Sequence, residues 1–441
     1  SFYSRLNYTF LDNYLLTASL RADGSSRFSP DNRWGLFPSL ALAWRMTDLS
    51  FVRAIPSISN LKLRAGWGIT GQQDGIGDYA WIANYSYSDS ASQYQFGNNF
   101  LPMLRPQGFD ANLKWEESKS INVGIDFGLF KNRLNGTIDY YRKWTYDLLS
   151  VIPTQAGTNF TDNILTNVGN LENQGVEFNI NWIAIDQIGQ NLEFGFNSTW
   201  NQTKITKLSK VPDGSQGILV GGISGPALAQ TIQIHSVGFA PFTFYTYRQL
   251  YDSIGNPVEG KYLYTLPGTG KDTIIDARNL SELQLNKNKN PMPTVFLGFF
   301  GNYTFKKWGA GFSMRGEIGR YVYNNVNSGG GVAEANGRSQ NVINNLTADY
   351  LNTKFTTYQV KSDYYLERAD FLRLDNIYLS YNFGKIPKTD LSCRVSASVQ
   401  NAFVFTNYSG IDPEIFSGID NNIYPRARIF NLNFKIKQWE E

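Results

Sequence analysis

The sequence predicts an all-β protein: a transmembrane antiparallel β-barrel, of which this chain supplies about 13 strands. Three observations lead there. Apolar residues alternate with polar or small ones over stretches of about ten residues or more. Connections between these stretches alternate between short and long. The composition joins 15% aromatic residues and 40 glycines to only 17% charged residues, against about 25% charged in soluble domains. No run of about 18 apolar residues occurs, so membrane-spanning helices are excluded.

The strands read in order. Phe2 to Phe10 is already strand-like and ends in the short turn Leu11-Asp12-Asn13. Leu61, Leu63, Ala65, Trp67 and Ile69 oppose Lys62, Arg64, Gly66, Gly68 and Thr70. Ile121, Val123, Ile125, Phe127 and Leu129 oppose Asn122, Gly124, Asp126 and Gly128. Val176, Phe178, Ile180 and Trp182 oppose Glu177, Asn179 and Asn181. Trp308, Ala310, Phe312, Met314 and Ile318 oppose Gly309, Gly311, Ser313, Arg315 and Glu317. Phe430, Leu432, Phe434 and Ile436 close the series against Asn431, Asn433, Lys435 and Lys437. Strands of soluble sheets usually run about 5–6 residues; a tilted membrane strand needs about 9–11. Trp44, Tyr140, Trp144, Trp182, Trp200, Tyr303 and Trp308 sit toward strand ends, where interfacial girdles form.

Long connections are expected at residues 71–117, 145–173, 204–291, 321–370 and 401–426, with short turns between them. Outer-membrane barrels sort their loops this way, long ones outside the cell. Gln233 to Asp252 has strand character but falls inside a long loop, where it reads as a hairpin. The first strand ends at a short turn and the last follows a long loop, so both run toward the periplasm and the count is odd. A closed bacterial barrel needs an even count, so further strands are expected before Ser1.

Chemistry is sparse. One Cys and one His exclude a disulfide framework, Cys-built zinc sites and His clusters. A net charge of +3 is too small a bias for nucleic acid. Gly66-Trp-Gly-Ile-Thr-Gly71 matches G-x-G-x-x-G, but its glycines fall on the small face of a strand and no helix follows. Gly268-Thr-Gly-Lys271 lacks Walker spacing and reads as a turn. Gly329 to Gly337 reads as a flexible or lid-facing segment. Asp412, Glu414 and Asp420 could hold a structural Ca²⁺, but their spacing is not that of an EF-hand and a turn is favoured. No other cofactor and no catalytic constellation is expected. Tyr79, Trp81, Tyr85, Tyr87, Tyr94 and Phe96 gather in one outer loop and are candidates for ligand or partner contact, with partner contact favoured. Candidate lumen-lining residues are Arg64, Asn122, Asp126, Glu177, Asn179, Arg315 and Glu317.

Several longer stretches, in order along the whole chain, resemble the SusC/RagA family of TonB-dependent outer-membrane transporters of Bacteroidetes. They are Asn13-Tyr-Leu-Leu-Thr-Ala-Ser-Leu-Arg-Ala-Asp-Gly-Ser-Ser-Arg-Phe28, Pro38-Ser-Leu-Ala-Leu-Ala-Trp44, Leu61-Lys-Leu-Arg-Ala-Gly-Trp-Gly-Ile-Thr-Gly71 and Trp115-Glu-Glu-Ser-Lys-Ser-Ile-Asn-Val-Gly124. The most diagnostic is Asn167-Val-Gly-Asn-Leu-Glu-Asn-Gln-Gly-Val-Glu-Phe178. Leu366-Glu-Arg-Ala-Asp-Phe-Leu-Arg-Leu374, Tyr408-Ser-Gly-Ile-Asp-Pro-Glu414 and Tyr424-Pro-Arg-Ala-Arg428 complete the set. The resemblance implies a 22-stranded barrel whose plug and TonB-contacting segment lie outside this chain. It also implies energised import of an oligosaccharide or oligopeptide, a SusD-like lipoprotein lid, and scope for a dimer of such pairs. A passive porin, a siderophore receptor and a barrel-anchored adhesin are the alternatives. One departure is the C-terminus, which runs past Phe434 to Trp439, where the family commonly ends on an aromatic residue.

Overall fold

Thirteen strands form one antiparallel sheet in which every strand pairs with its neighbours in chain order. The computed structural model describes residues 1–88, 91–154, 161, 163–209, 216–223, 230–281, 284–287, 289–336, 345–389 and 391–438. The wall strands are β1 (Phe2–Phe10), β2 (Tyr14–Gly24), β3 (Trp34–Arg45), β4 (Ile58–Gln72), β5 (Glu116–Leu129), β6 (Leu134–Pro153) and β7 (Asn163–Gln187). They continue as β8 (Gln190–Leu208), β9 (Val295–Phe305), β10 (Trp308–Ile318), β11 (Phe371–Lys385), β12 (Leu391–Thr406) and β13 (Ile429–Gln438).

Register turns the sequence alternation into two faces. Trp182 lies opposite Phe194, Phe194 opposite Gly301, Gly301 opposite Phe312 and Phe312 opposite Ile377. The row continues through Val399 to Phe430. Three residues along the same strand from Trp182, Asn179 pairs with Thr137 and Asn197, on the other face. Period-two side-chain placement therefore carries one apolar and one polar surface across the whole sheet. The apolar surface is exposed, with Phe430 at 73% and Leu432 at 63% of their full accessibility.

Aromatic rings mark both edges of the apolar face. Toward the short turns, Tyr14 stacks on Trp44 with centroids 5.9 Å apart, Trp182 lies 6.1 Å from Phe194, and Trp308 meets Tyr381 edge-on at 4.8 Å. Toward the long loops, Phe2 stacks on Trp34 at 6.1 Å. Tyr140, Trp144 and Trp200 lie at that end too.

The short turns are made by chain reversals that need positive φ. Leu11 and Asp12 adopt φ 50° and 57°, Phe130, Lys131 and Asn132 adopt 54°, 58° and 61°, and Gly189 adopts 78°. Of these three turns, the one at Gly189 uses the residue that reaches this region without steric cost.

The long loops are folded. Strand pairing reaches further into the 145–173 stretch than the long loop expected from sequence allows. The β6–β7 ladder continues to Pro153 and Asn163, because register shifts between Thr145 and Leu148 and between Leu148 and Leu149 absorb the irregular stretch rather than ending the pairing. The expected hairpin at 233–252 is split between two small sheets. Ile218–Ile223, Gln230–His235, Thr243–Thr246 and Asn286–Lys287 form one. Arg248–Tyr251, Pro257–Thr265 and Asp272–Asp276 form the other, with the Gly268–Lys271 segment as its turn. Asn325–Gly330, in the glycine-rich stretch, is a short helix whose first turn is capped when the Asn324 side chain accepts from the Asn327 N–H. Gly337 and Trp439 lie outside the described residues.

The two faces make a direct prediction. With the apolar face in lipid, Phe178→Lys impairs barrel assembly, at a cost of about 2–4 kcal/mol near the midplane. Asn179→Lys on the opposite face leaves the yield of heat-modifiable barrel unchanged. Equal yields would invalidate the face assignment.

Candidate functional site

Charge on the polar face is organised by register. The run Leu61-Lys62-Leu63-Arg64 sends both cations to that face, opposite Asp126 and Gly124 of β5. Lys62 Nζ lies 3.3 Å from Asp126, and Arg64 lies 2.7 Å from Asp126 and 3.0 Å from Asp139. Gly124 makes this geometry: a Cβ there would run into the Asp139 carboxylate and crowd the Arg64 guanidinium. Asn122 lies opposite Gly66 and Tyr141 on the same face. Glu177 faces Asp139 and Thr199 across the ladders, and the Asn179 Oδ1 accepts from the Asn181 amide at 3.3 Å.

A second network ties the wall to the last outer loop. Arg315 of β10 forms a bidentate pair with Glu414, Nη1–Oε1 2.6 Å and Nη2–Oε2 2.8 Å, and its Nε reaches Asp375 at 2.9 Å. Two parallel N–H···O bonds are the strongest form of such a pair. Arg373 of β11, only 2% exposed, donates to Asp412 at 2.6 Å and to Asn401 at 2.6 Å. Arg426 closes the knot, 2.8 Å from Glu414 and 3.3 Å from Asp412. Three guanidinium groups thus meet three carboxylates. Burial raises the pKa of Glu414, but the hydrogen bond from Arg315 and the fields of Arg315, Arg426 and Arg373 outweigh it and hold the carboxyl below its ordinary value. Glu317 pairs with Arg320, which donates to the Ile415 carbonyl at 2.7 Å.

The seven residues expected to line a lumen therefore share one face but fall into separate groups: Arg64 pairs with Asp126, whereas Arg315 pairs with Glu414 and Glu317 with Arg320. Sequence reading missed Asp139, Arg373, Asp375 and Arg426 as partners. Arg373 was visible as the polar member of Phe371-Leu-Arg-Leu; nothing local connects it to Asp412, 39 residues away. The oxygen-rich trio separates: Asp412 and Glu414 face guanidinium groups, whereas Asp420 accepts from the Tyr408 hydroxyl at 2.7 Å.

The aromatic candidates divide. Trp81 donates its indole N–H to the Ser26 carbonyl at 3.1 Å and packs on the cluster of Phe28, Phe37, Ile76, Leu113 and Trp115, so it anchors the loop. Tyr79 is exposed and holds φ 58°. Tyr85 and Tyr87 stand on a strand paired with Leu104–Pro106. Tyr94 and Phe96 stand on one paired with Asn99–Pro102, their rings 5.0 Å apart. These four rings are exposed, as are Phe100, Leu101, Met103 and Leu104 beside them.

The chain matches the family model described as TonB dependent receptor-like, beta-barrel, over residues 1–402. It is 38% identical to TonB-dependent receptor SusC of Bacteroides thetaiotaomicron, an alignment covering 99% of this chain and 43% of that protein. It is 30% identical to TonB-dependent receptor P3 of Formosa agariphila, covering 99% of this chain and 45% of that protein. The RagAB peptide importer in its closed-closed state superposes with a TM-score of 0.80 at 23% identity, over 98% of this chain and 47% of that one. The chain thus spans under half the length of the curated relatives it matches.

Two outcomes follow from the ionic knot. Asp412→Asn removes the nearer of the two carboxylates that face buried Arg373, leaving Glu414 at 3.6 Å, and costs up to about 3–5 kcal/mol, the scale of a broken buried pair. Limited proteolysis should then cut within residues 407–428 while the wall stays folded; an unchanged cleavage pattern would show that the knot does not hold the loop. Acid should act on the same contact. The lowered pKa of Glu414 makes its contribution complete above about 4.5, the ordinary value, and lost as pH falls through the folded-state value. Protection of the loop should persist at pH 5–7 and fail only in stronger acid.

Proposed function

The chain belongs to the TonB dependent receptor-like β-barrel family, of the SusC/RagA kind, in the bacterial outer membrane, and from that premise we propose that it forms the wall and outer loops of an energised nutrient importer. The cargo is an oligosaccharide or oligopeptide, and the importer works with a SusD-like surface lipoprotein. The observation that carries this reading is the kinship to SusC along 99% of the chain rather than along one motif. The mechanism is passage rather than catalysis, in keeping with a family of receptors and transporters.

The parts take roles on this reading. The apolar face meets outer-membrane lipid between its two aromatic bands. Arg64, Asn122, Asp126, Glu177, Asn179, Arg315 and Glu317 line a wet interior, where paired charges stay solvated without favouring either ion sign. TonB acts on parts of the protein beyond this chain. The exposed rings of Tyr85, Tyr87, Tyr94 and Phe96 seat the lipoprotein, since Tyr and other aromatic residues are enriched at protein interfaces.

Purification of the native complex in mild detergent tests the partnership. A SusD-like lipoprotein should co-purify, and Tyr85→Ser combined with Tyr87→Ser and Phe96→Ser should lower its retention by about tenfold or more, as loss of central aromatic anchors does. Uptake should stop when a protonophore collapses the energy supply. Uptake that persists without energy, or a barrel that carries no lipoprotein at all, would overturn the proposal.

A further inference from the structure

A groove of about 560 Å³ runs over the apolar face of β8 to β13, toward the short turns. Two neighbouring register rows form it. One is the row of Phe194, Gly301, Phe312, Ile377, Val399 and Phe430. The other runs from Leu192 through Tyr303, Ala310 and Leu379 to Ala397. In this second row Ala310 and Ala397 stand on either side of Leu379, and each leaves a gap between larger neighbours.

The lining is hydrocarbon. Among the described residues that border it, none is charged. Asn302 and Tyr378 border it too, but they turn to the polar face, where the Tyr378 hydroxyl donates to the Asn302 side-chain oxygen at 3.2 Å.

Positive charge stands just below. Lys306 and Lys307 form the turn between β9 and β10. Lys306 Nζ lies 5.4 Å from the centroid of the Phe305 ring, and that ring stacks on Tyr303 at 6.4 Å, so this ammonium stands on the apolar side of the wall. Among the described residues neither lysine has a carboxylate partner. Tyr303 joins the two parts. Its hydroxyl accepts from the Gln190 amide at 2.9 Å, and its own proton meets no acceptor among the described residues.

The spacing suits a membrane leaflet. Lys306 follows Tyr303 by three residues and Lys307 precedes Ala310 by three, about 10 Å along a strand. With a strand tilt of about 35–45° that is about 8 Å along the membrane normal, roughly the depth of a headgroup layer. The cations therefore reach phosphate level where the groove lies at chain level, in the periplasmic leaflet that the short turns face.

We propose that the groove and the turn beneath it bind one anionic phospholipid of the periplasmic leaflet. An acyl chain fills the gaps at Ala310 and Ala397. The phosphate sits at Lys306 and Lys307, and the Tyr303 hydroxyl donates to an ester oxygen. The uncharged lining selects a hydrocarbon chain, and the two lysines select the negative headgroup, as basic residues beside an apolar span do. The volume falls within the ~300–1,000 Å³ of small-molecule sites. This inference rests on the wall's place in the outer membrane and is independent of the cargo.

The test is native mass spectrometry of the full-length protein, stripped of lipid in mild detergent. It is titrated with palmitoyl-oleoyl phosphatidylglycerol or with the phosphatidylethanolamine of the same chains. One phosphatidylglycerol should be retained at about tenfold lower concentration than the phosphatidylethanolamine, the scale of two lysines at a membrane surface. Lys306→Gln combined with Lys307→Gln should erase that preference. Ala397→Phe, and independently Ala310→Leu, fill the gaps. Each should weaken retention of both lipids about tenfold, the scale of a few methylenes no longer buried, with the yield of heat-modifiable barrel unchanged. Equal retention of the two lipids by the wild type would overturn the headgroup site. Groove variants that hold phosphatidylglycerol as the wild type does would reveal ordinary bilayer contact and overturn the groove. Lipid A bound in preference to phosphatidylglycerol would overturn the leaflet. A second protein copy in place of lipid, lost in Ala397→Phe, would overturn a lipid as the occupant.

Discussion

In hydrocarbon, every backbone N–H and C=O must be paired, because no water is there to replace a missing partner. That constraint governs the rest of this molecule. It requires paired ladders across the membrane, and the 13 wall strands supply them in simple chain order with a few register shifts. It confines irregular backbone to the two rims, where water can serve it. It also leaves side chains as the only means of distinguishing outside from inside, which is why the alternation is so regular. The register shifts between Thr145 and Leu148 and between Leu374 and Asn376 fall toward the long-loop end of their strands.

The outer end obeys different rules and is a folded layer. Ile223, Ile232, Phe244, Tyr323, Tyr365, Leu366 and Ile419 form one buried cluster drawn from three long loops. Tyr262, Tyr247, Tyr245, Ile234 and Leu285 form another. Burial of these side chains stabilises the loops against one another, and the Arg315, Arg373 and Arg426 network fixes the last of them to the wall. Burial lifts the Tyr323 hydroxyl to about 12, so it stays a neutral donor at any physiological pH. A rigid rim of this kind keeps exposed groups such as Tyr85 and Phe416 in set positions, which is what recognition requires of a loop layer on a barrel.

The wall was legible in the sequence because its information is local. Val176, Phe178, Ile180 and Trp182 announce their face through spacing alone, and lipid reinforces the same pattern in every strand. Loop structure was not, because its determinants are distant. Arg373 and Asp412 are 39 residues apart, and Gln233 meets Ser417 across 184. No period joins such pairs. Asp412-Pro413-Glu414 could be read as a turn, but its guanidinium partners could not. Trp81 looked like its exposed neighbours in sequence and differs from them by its bond to the Ser26 carbonyl and its packing on the Phe28 and Trp115 cluster. The β6–β7 ladder ran longer than expected for a related reason: Thr145 to Asn173 lacks clean alternation, yet two successive register shifts let pairing resume beyond it.

Spin labels placed singly from Val176 to Trp182 of the full protein in native outer membranes give the most direct reading of the central claim. Collision with oxygen and with a polar nickel complex would be recorded at each position. Oxygen accessibility should peak at 176, 178, 180 and 182, and nickel accessibility at 177, 179 and 181, out of phase throughout. Accessibilities in phase, or without a two-residue period, would contradict a wall with lipid on one face and water on the other.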